Sequence, residues 1–179
     1  MPNLNNVKIF LIVLIFNILL TTLISSLPGS SFFGNTIDSE LKSEVPSPSS
    51  DYLVSGAYIG AHNFLIALGM SIPFVGVFWG IFSLSLTAYA FASLGAMDKI
   101  PGVFLVSNEA FLPFFWFEFI CYSVMMGESL ILSKSILTGN INKLLLRNYL
   151  FIVIGVGITL LISGYVEASF INLETALKI

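Results

Sequence analysis

Charge is what this chain has least of. Asp, Glu, Lys and Arg make up 9% of its 179 residues, seven basic against ten acidic, for a net charge of -3. No basic cluster is present to neutralise a run of phosphates, so nucleic acid is not an expected partner. Cys121 is the only cysteine, which excludes an intrachain disulfide and any cysteine-based metal site. His62 is the only histidine, which excludes a His-Glu-x-x-His zinc motif. No catalytic, cofactor-binding or metal-ligating set is therefore expected. In place of charge the chain is 56% hydrophobic and 14% aromatic, with a mean hydropathy of +0.96, well outside the range of soluble globular proteins. The expected fold is all-α: a polytopic integral membrane bundle of about five transmembrane helices, within a range of four to six, with room for one re-entrant or interfacial segment.

Taken in order, residues 1–27 read as a retained signal-anchor helix, because Ile9 to Leu27 is uncharged and Ser25-Ser26-Leu27-Pro28 makes a poor cleavage site. Residues 28–52 turn to Ser, Pro, Gly and acid, with Pro46 and Pro48 as breakers and no apolar periodicity. They read as an acidic hydrophilic loop with Asp38, Glu40, Glu44 and Asp51 against Lys42. Residues 53–179 read as a membrane-embedded helical domain. No charge occurs between Asp51 and Asp98, and a single helix of that length would measure about 69 Å, over twice the hydrocarbon thickness. The segment must fold back, and Pro73 with Gly76 marks the place. Spans are expected at about 53–72, 74–97, 114–136 and 149–167, with an interfacial piece at 103–112 that is too short to cross. The 72–76 turn is apolar, so its backbone must be covered by protein or water, and the hairpin is either two full spans or re-entrant.

Lys134, Lys143 and Arg147 make the 137–147 loop the most basic part of the chain. The positive-inside tendency places it in the cytoplasm, with the N-terminus also cytoplasmic and the 28–52 loop outside, in the cell membrane. Gly56 with Gly60, and Gly76 with Gly80, are Gly-x-x-x-Gly pairs that let helix backbones approach closely, within the chain or between chains.

The run from Pro113 to Glu128 is aromatic and apolar, yet it carries Glu118 and Glu128. On one helix they lie about 15 Å apart along the axis and roughly 80° apart around it, so they cannot share a proton or a metal. An acid in hydrocarbon faces the bundle interior or reaches an interface, and is a site hypothesis by default. Glu118, embedded in Phe and Trp, reads as interior. Glu128, with Ser129, Ser133 and Lys134 soon after, reads as an acid reaching the headgroups. His62-Asn63 reads as an interfacial or bundle-facing pair bonded to backbone, with direct ion or substrate contact as the alternative.

Three pieces of the chain resemble the stage II sporulation protein M family of integral membrane proteins. His62-Asn63 before a glycine-rich hairpin resembles the family's asparagine before its double span. Pro113-Phe-Phe-Trp-Phe-Glu118, with Gly127 nine residues on, resembles its Pro-His-Gly-x-x-Glu followed by a glycine. Tyr165-Val-Glu167-Ala168-Ser-Phe170-Ile171 resembles its closing Ile-Glu-Ala-Phe-Ile. Phe114 and Phe115 stand where the family has His-Gly. The positions carried over are Asn63, Glu118, Gly127 and Glu167. The resemblance implies a non-enzymatic membrane component, which in spore formers is the scaffold of a complex that remodels peptidoglycan.

The expected function is thus a scaffold or accessory subunit whose partners are the lipid bilayer and other membrane proteins or copies of itself. The competing expectation is a small homo-oligomeric transporter or channel in which His62, Glu118, Glu128 and Glu167 line a polar path.

Overall fold

The structure, a computed structural model, describes residues 4–44 and 52–177. Pro46, Pro48 and Asp51 of the expected loop lie outside the described residues, as do residues 1–3 and 178–179. Seven helices and no strand occur among the described residues: α1 Leu4–Ser25, α2 Ser31–Glu44, α3 Tyr52–Met70, α4 Gly76–Asp98, α5 Gly102–Glu109, α6 Pro113–Leu137 and α7 Lys143–Leu177. Five of them, α1, α3, α4, α6 and α7, are long and apolar enough to cross a membrane. The all-α bundle is therefore found, with the ends of the first four long helices within a few residues of expectation and α7 longer than the expected 149–167, running from Lys143 to Leu177. The 72–76 hairpin joins two helices of crossing length, and α5, at 8 residues, is the short piece expected at 103–112.

The centre of the bundle is α6. In its apolar window 56% of the residues are buried, against 17% to 28% in the other four spans, and it touches α1, α3, α4 and α7. Proline at its first position and an extended Leu112 before it start the helix, since the missing N–H of Pro113 costs nothing there. Phe119, Tyr122 and Met126 sit in the core with Met125 and Cys121, joined by Val13 of α1, Ala67 and Met70 of α3, Leu84 of α4 and Val156 and Leu160 of α7. Phe115 stacks on Phe119 at 4.4 Å, so the aromatic stripe is packing, while Trp116, Phe117 and Ile120 face outward.

Two parts of the chain differ from the reading of the sequence. Residues 31–44, expected as loop, form α2. Phe33, Ile37 and Leu41 recur every fourth residue along it, and the helix rests on α4. The Ser30 amide bonds to Ser93 Oγ at 3.3 Å, Phe33 lies 5.6 Å from the Tyr89 ring, and Gly29 and Gly34 sit directly on the Ala92 and Ser93 backbone. The apolar positions at helical spacing are three among many Ser, Asn, Asp, Glu and Lys, and the small residues at the close crossing carry no hydropathy signal, so the polar composition hid the helix. The basic loop is also shorter than 137–147. The chain turns through Thr138 to Asn142, with Gly139 at φ 66, and Lys143 and Arg147 already belong to α7, which Asn142 Oδ1 caps by accepting from the Leu145 amide at 2.8 Å.

The apolar turn between α3 and α4 is covered by protein. Phe74 takes a left-handed φ of 67, and the groups this leaves open are met by α6: Ser133 Oγ accepts from the Phe74 amide and Ser129 Oγ donates to the Ile72 carbonyl, both at 2.7 Å. Off-helix backbone at this depth requires such partners. The glycine pairs are spent inside the chain. Gly56 and Gly60 of α3 meet Tyr165, Leu161 and Gly164 of α7, Gly76 lies against the Met70 carbonyl and Ser129, and Gly80 lies against Met126.

Gly164 and Gly155 sit on the same helix, but a Cβ at Gly164 would collide with the Gly56 and Gly60 backbone, whereas one at Gly155 meets nothing within 4 Å. Gly164→Ala is expected to lower unfolding stability in detergent or bicelles by about 1–3 kcal/mol, and Gly155→Ala to leave it within about 0.5 kcal/mol. Equal effects of the two substitutions would refute the close α3–α7 crossing.

Candidate functional site

In the half of the bundle that holds α5 and the start of α6, three of the four positions that carry the family resemblance come together. Asn63 projects from α3 and its Nδ2 donates to Glu118 Oε1 on α6 at 2.6 Å, across 55 residues of sequence. Glu167 of α7 and Glu109 at the end of α5 lie close enough to Glu118 for their charges to act on it. Helix geometry makes this meeting local on each element. Glu118 is five residues into α6, just past the proline start, and Ser163 Oγ of α7 donates to the Phe114 carbonyl at 3.2 Å, which fixes the two helices at this level. Phe114 and Phe170, with ring centroids 6.1 Å apart, cover the same end. An acceptor oxygen held by an amide across two helices makes a strong bond in a medium without water.

The remaining expected site residues stand elsewhere. His62 is exposed and its ring stacks on Tyr58, one turn back, at 6.4 Å. Neighbours on a helix point about 100° apart, so His62 and Asn63 do not act as a pair. Asn63 bonds a side chain on another helix, not backbone. Gly127 is buried but faces α1, where a Cβ would be in ordinary contact with Ile9 at 3.7 Å. Glu128 was expected to reach the headgroups, and the structure buries it at 9% exposure. The serines thought to lead it outward, Ser129 and Ser133, are instead turned onto the α3–α4 turn. Glu128 lies ten residues further along α6 than Glu118, on the half away from the Asn63 bond.

A second polar set lies on α1. Asn17, Thr21 and Ser25 recur every fourth residue and are buried at 0%, 4% and 0% exposure. Asn17 Nδ2 donates to Ser123 Oγ of α6 at 3.0 Å and reaches Met126 Sδ at 3.5 Å. The signal was present as polar residues at helical spacing in an otherwise Leu- and Ile-rich span. Asn17 Oδ1 and Thr21 Oγ1 have no partner among the described residues. A half-open cavity of about 140 Å³ lies beside Thr21 between α1, α5 and α6, against Ile18, Val106, Phe115, Trp116 and Phe119. No carboxylate lines it.

Chemically, this arrangement is a set of interhelical bonds centred on α6. Among the described residues no three of His, Cys, Asp and Glu are grouped so as to hold a metal ion. Comparison with family models, with curated proteins and with solved structures finds no match.

If Asn63 and Glu118 hold the helices, what counts at position 118 is an acceptor. Glu118→Gln keeps a carbonyl for Asn63 and is expected to retain most of the stability, whereas Glu118→Leu strands the Asn63 amide and is expected to cost about 1–3 kcal/mol. Unfolding in bicelles distinguishes the two. A Leu variant as stable as the Gln variant would show that the bond holds nothing.

Proposed function

We propose that this chain is a non-enzymatic integral membrane scaffold or accessory subunit, resembling stage II sporulation protein M, that packs against other membrane proteins. The observation that carries the reading is the engagement of Glu118. Its carboxyl group accepts from Asn63 of a neighbouring helix, and the cavity beside α6 has no acid in its wall. An intramembrane acid used this way ties helices together instead of passing an ion. Convergence of Asn63, Glu118 and Glu167 also supports the resemblance, because these are positions on which it rests. With the four glycines of the pairs spent inside the chain, contact with partners falls to other surfaces, such as the exposed aromatic row Phe78, Trp79 and Phe82 on α4.

The orientation that goes with this reading has the N-terminus and the α6–α7 turn in the cytoplasm and α2 outside, in the cell membrane. It is supported by the gathering of Lys8, Lys134, Lys143 and Arg147 toward the end of the bundle where α1 and α7 begin and α6 stops.

A second reading is a homo-oligomeric transporter or channel with Glu118 as a proton or cation site. The observation in its favour is the approach of Glu109 and Glu167 to Glu118. The two readings separate in one pair of measurements. The scaffold predicts that the protein, extracted gently from its own membrane, arrives in native mass spectrometry with other membrane subunits at fixed stoichiometry. It predicts also that proteoliposomes of the purified chain leak protons no faster than empty ones, with or without Glu118→Gln. A symmetric homo-oligomer whose proton flux is abolished by Glu118→Gln would establish the transporter instead.

A further inference from the structure

Of the two acids in α6, Glu118 has Asn63 for a partner. Glu128 is buried at 9% exposure and makes no hydrogen bond or ion pair with another described residue. A carboxyl group left so among apolar side chains is costly and calls for a partner. That partner reaches it from outside. The fully enclosed polar side-chain atoms without a partner among the described residues are Asn17 Oδ1 and Thr21 Oγ1. The oxygens of Glu128 are not enclosed in this way, so the exposed part of the residue includes its carboxyl end.

The phase of α6 shows on which side it opens. Gly127 and Glu128, as neighbours on a helix, point about 100° apart. Gly127 faces Ile9 of α1. Between these two directions fall Phe117, Ile120, Val124 and Ile131, the first two exposed and the others half-buried. Just past Glu128 come Cys121, Leu132 and Met125, all buried. Helix α6 thus offers an apolar strip to the outside, with α1 along one edge and Glu128 at the other.

A base stands level with that acid across the strip. Lys8 is the residue before Ile9, is exposed, and carries its ammonium on a long flexible stem. Because Ile9 lies against Gly127, Lys8 and Glu128 stand at nearly one height along α6. Lys134 of α6 itself is six residues, about 9 Å, further on. Within one chain Lys8 and Glu128 occupy opposite edges of the strip and do not bond.

A two-fold axis brings them together. Two copies inserted the same way, and related by an axis along the membrane normal, keep every residue at its height and meet with the edges of the strip in opposite order. The Glu128 edge of one copy then lies on the Lys8 edge of the other, and the pairing occurs twice.

We infer that two copies of this chain form a dimer through the exposed strip of α6, with Lys8 of each copy bonded to Glu128 of the other. The strip residues supply close apolar contact, and the two charged pairs fix the register. The dimer does not depend on the scaffold reading, which concerns other subunits, nor on the Asn63–Glu118 bond.

Energy transfer between two pools of the full-length protein, labelled at a terminal tag and mixed in liposomes over a range of protein-to-lipid ratios, measures the association. The wild type is expected to dimerise. Lys8→Gln and Glu128→Gln are each expected to weaken the dimer about ten-fold, since each removes two bonds of the kind that join membrane helices. The double variant is expected to be no weaker than either single one. Lys8 is exposed, so Lys8→Gln leaves the fold of a single copy intact. Cross-linking separates pairing between copies from pairing within one. Chains carrying Lys8→Cys with one tag and Glu128→Cys with another, co-expressed and oxidised, are expected to give a disulfide-linked dimer bearing both tags. Lys8→Cys with Phe82→Cys on the exposed face of α4 is not. A wild type that is monomeric at every ratio overturns the proposal and needs no variant to fold. A dimer unmoved by Lys8→Gln overturns it too. So does a dimer that Lys8→Gln weakens but whose chains fail to cross-link between positions 8 and 128, the result of a pair closed within one chain.

Discussion

A polar group in hydrocarbon has no water to turn to, and this bundle is arranged around the places where its polar groups find one another. Most of those places are on α6. Glu118 accepts from Asn63 of α3, Ser123 accepts from Asn17 of α1, Ser129 and Ser133 hold the α3–α4 turn, and the Phe114 carbonyl accepts from Ser163 of α7. Each bond joins α6 to a different part of the chain. Because lipid tails are as apolar as leucine, hydrophobic burial does little to choose one helix arrangement over another within the membrane. Close packing at small residues and bonds of this kind make the choice. The α3–α7 pair is held chiefly by the first, through Gly56, Gly60 and Gly164, and α6 by the second.

The five spans and the central place of the Pro113 to Leu137 helix were legible in the sequence, because long uncharged stretches broken at Pro73, at Pro101-Gly102 and at Gly139 leave few other solutions. So was an interior role for Glu118. What escaped was anything set by contact between distant segments. Helix α2 carries Phe33, Ile37 and Leu41 at helical spacing, hidden among polar residues, and rests on α4 through Gly29, Ser30 and Gly34. Asn63 was read together with His62 because they are adjacent, yet adjacency on a helix separates side chains. Glu128 was read as an exposed acid because serines follow it, and those serines face the opposite task of covering a turn. The polar face of Asn17, Thr21 and Ser25 was readable at helical spacing and was obscured by the apolar residues around it.

The functional reading follows from where polarity is spent. A transporter keeps its intramembrane acids available to a path. Here Glu118 is bonded across helices, Glu128 is buried on the far half of the same helix, and the half-open space beside α6 is walled by apolar side chains and hydroxyls. A rigid body of five spans with its polar groups turned inward suits a subunit that other membrane proteins assemble on. Phe78, Trp79 and Phe82 of α4 are exposed on the outside of the bundle, and on the proposed scaffold reading they are a surface open to partners.

The central claim is that Asn63 and Glu118 act on each other and that this contact holds α3 to α6. A double-mutant cycle with Asn63→Leu, Glu118→Leu and the double variant, measured by unfolding in bicelles, tests it directly. The account predicts a coupling of at least about 0.6 kcal/mol, the average for bonds between membrane helices, and up to about 1.7, the largest. Strictly additive losses would contradict it.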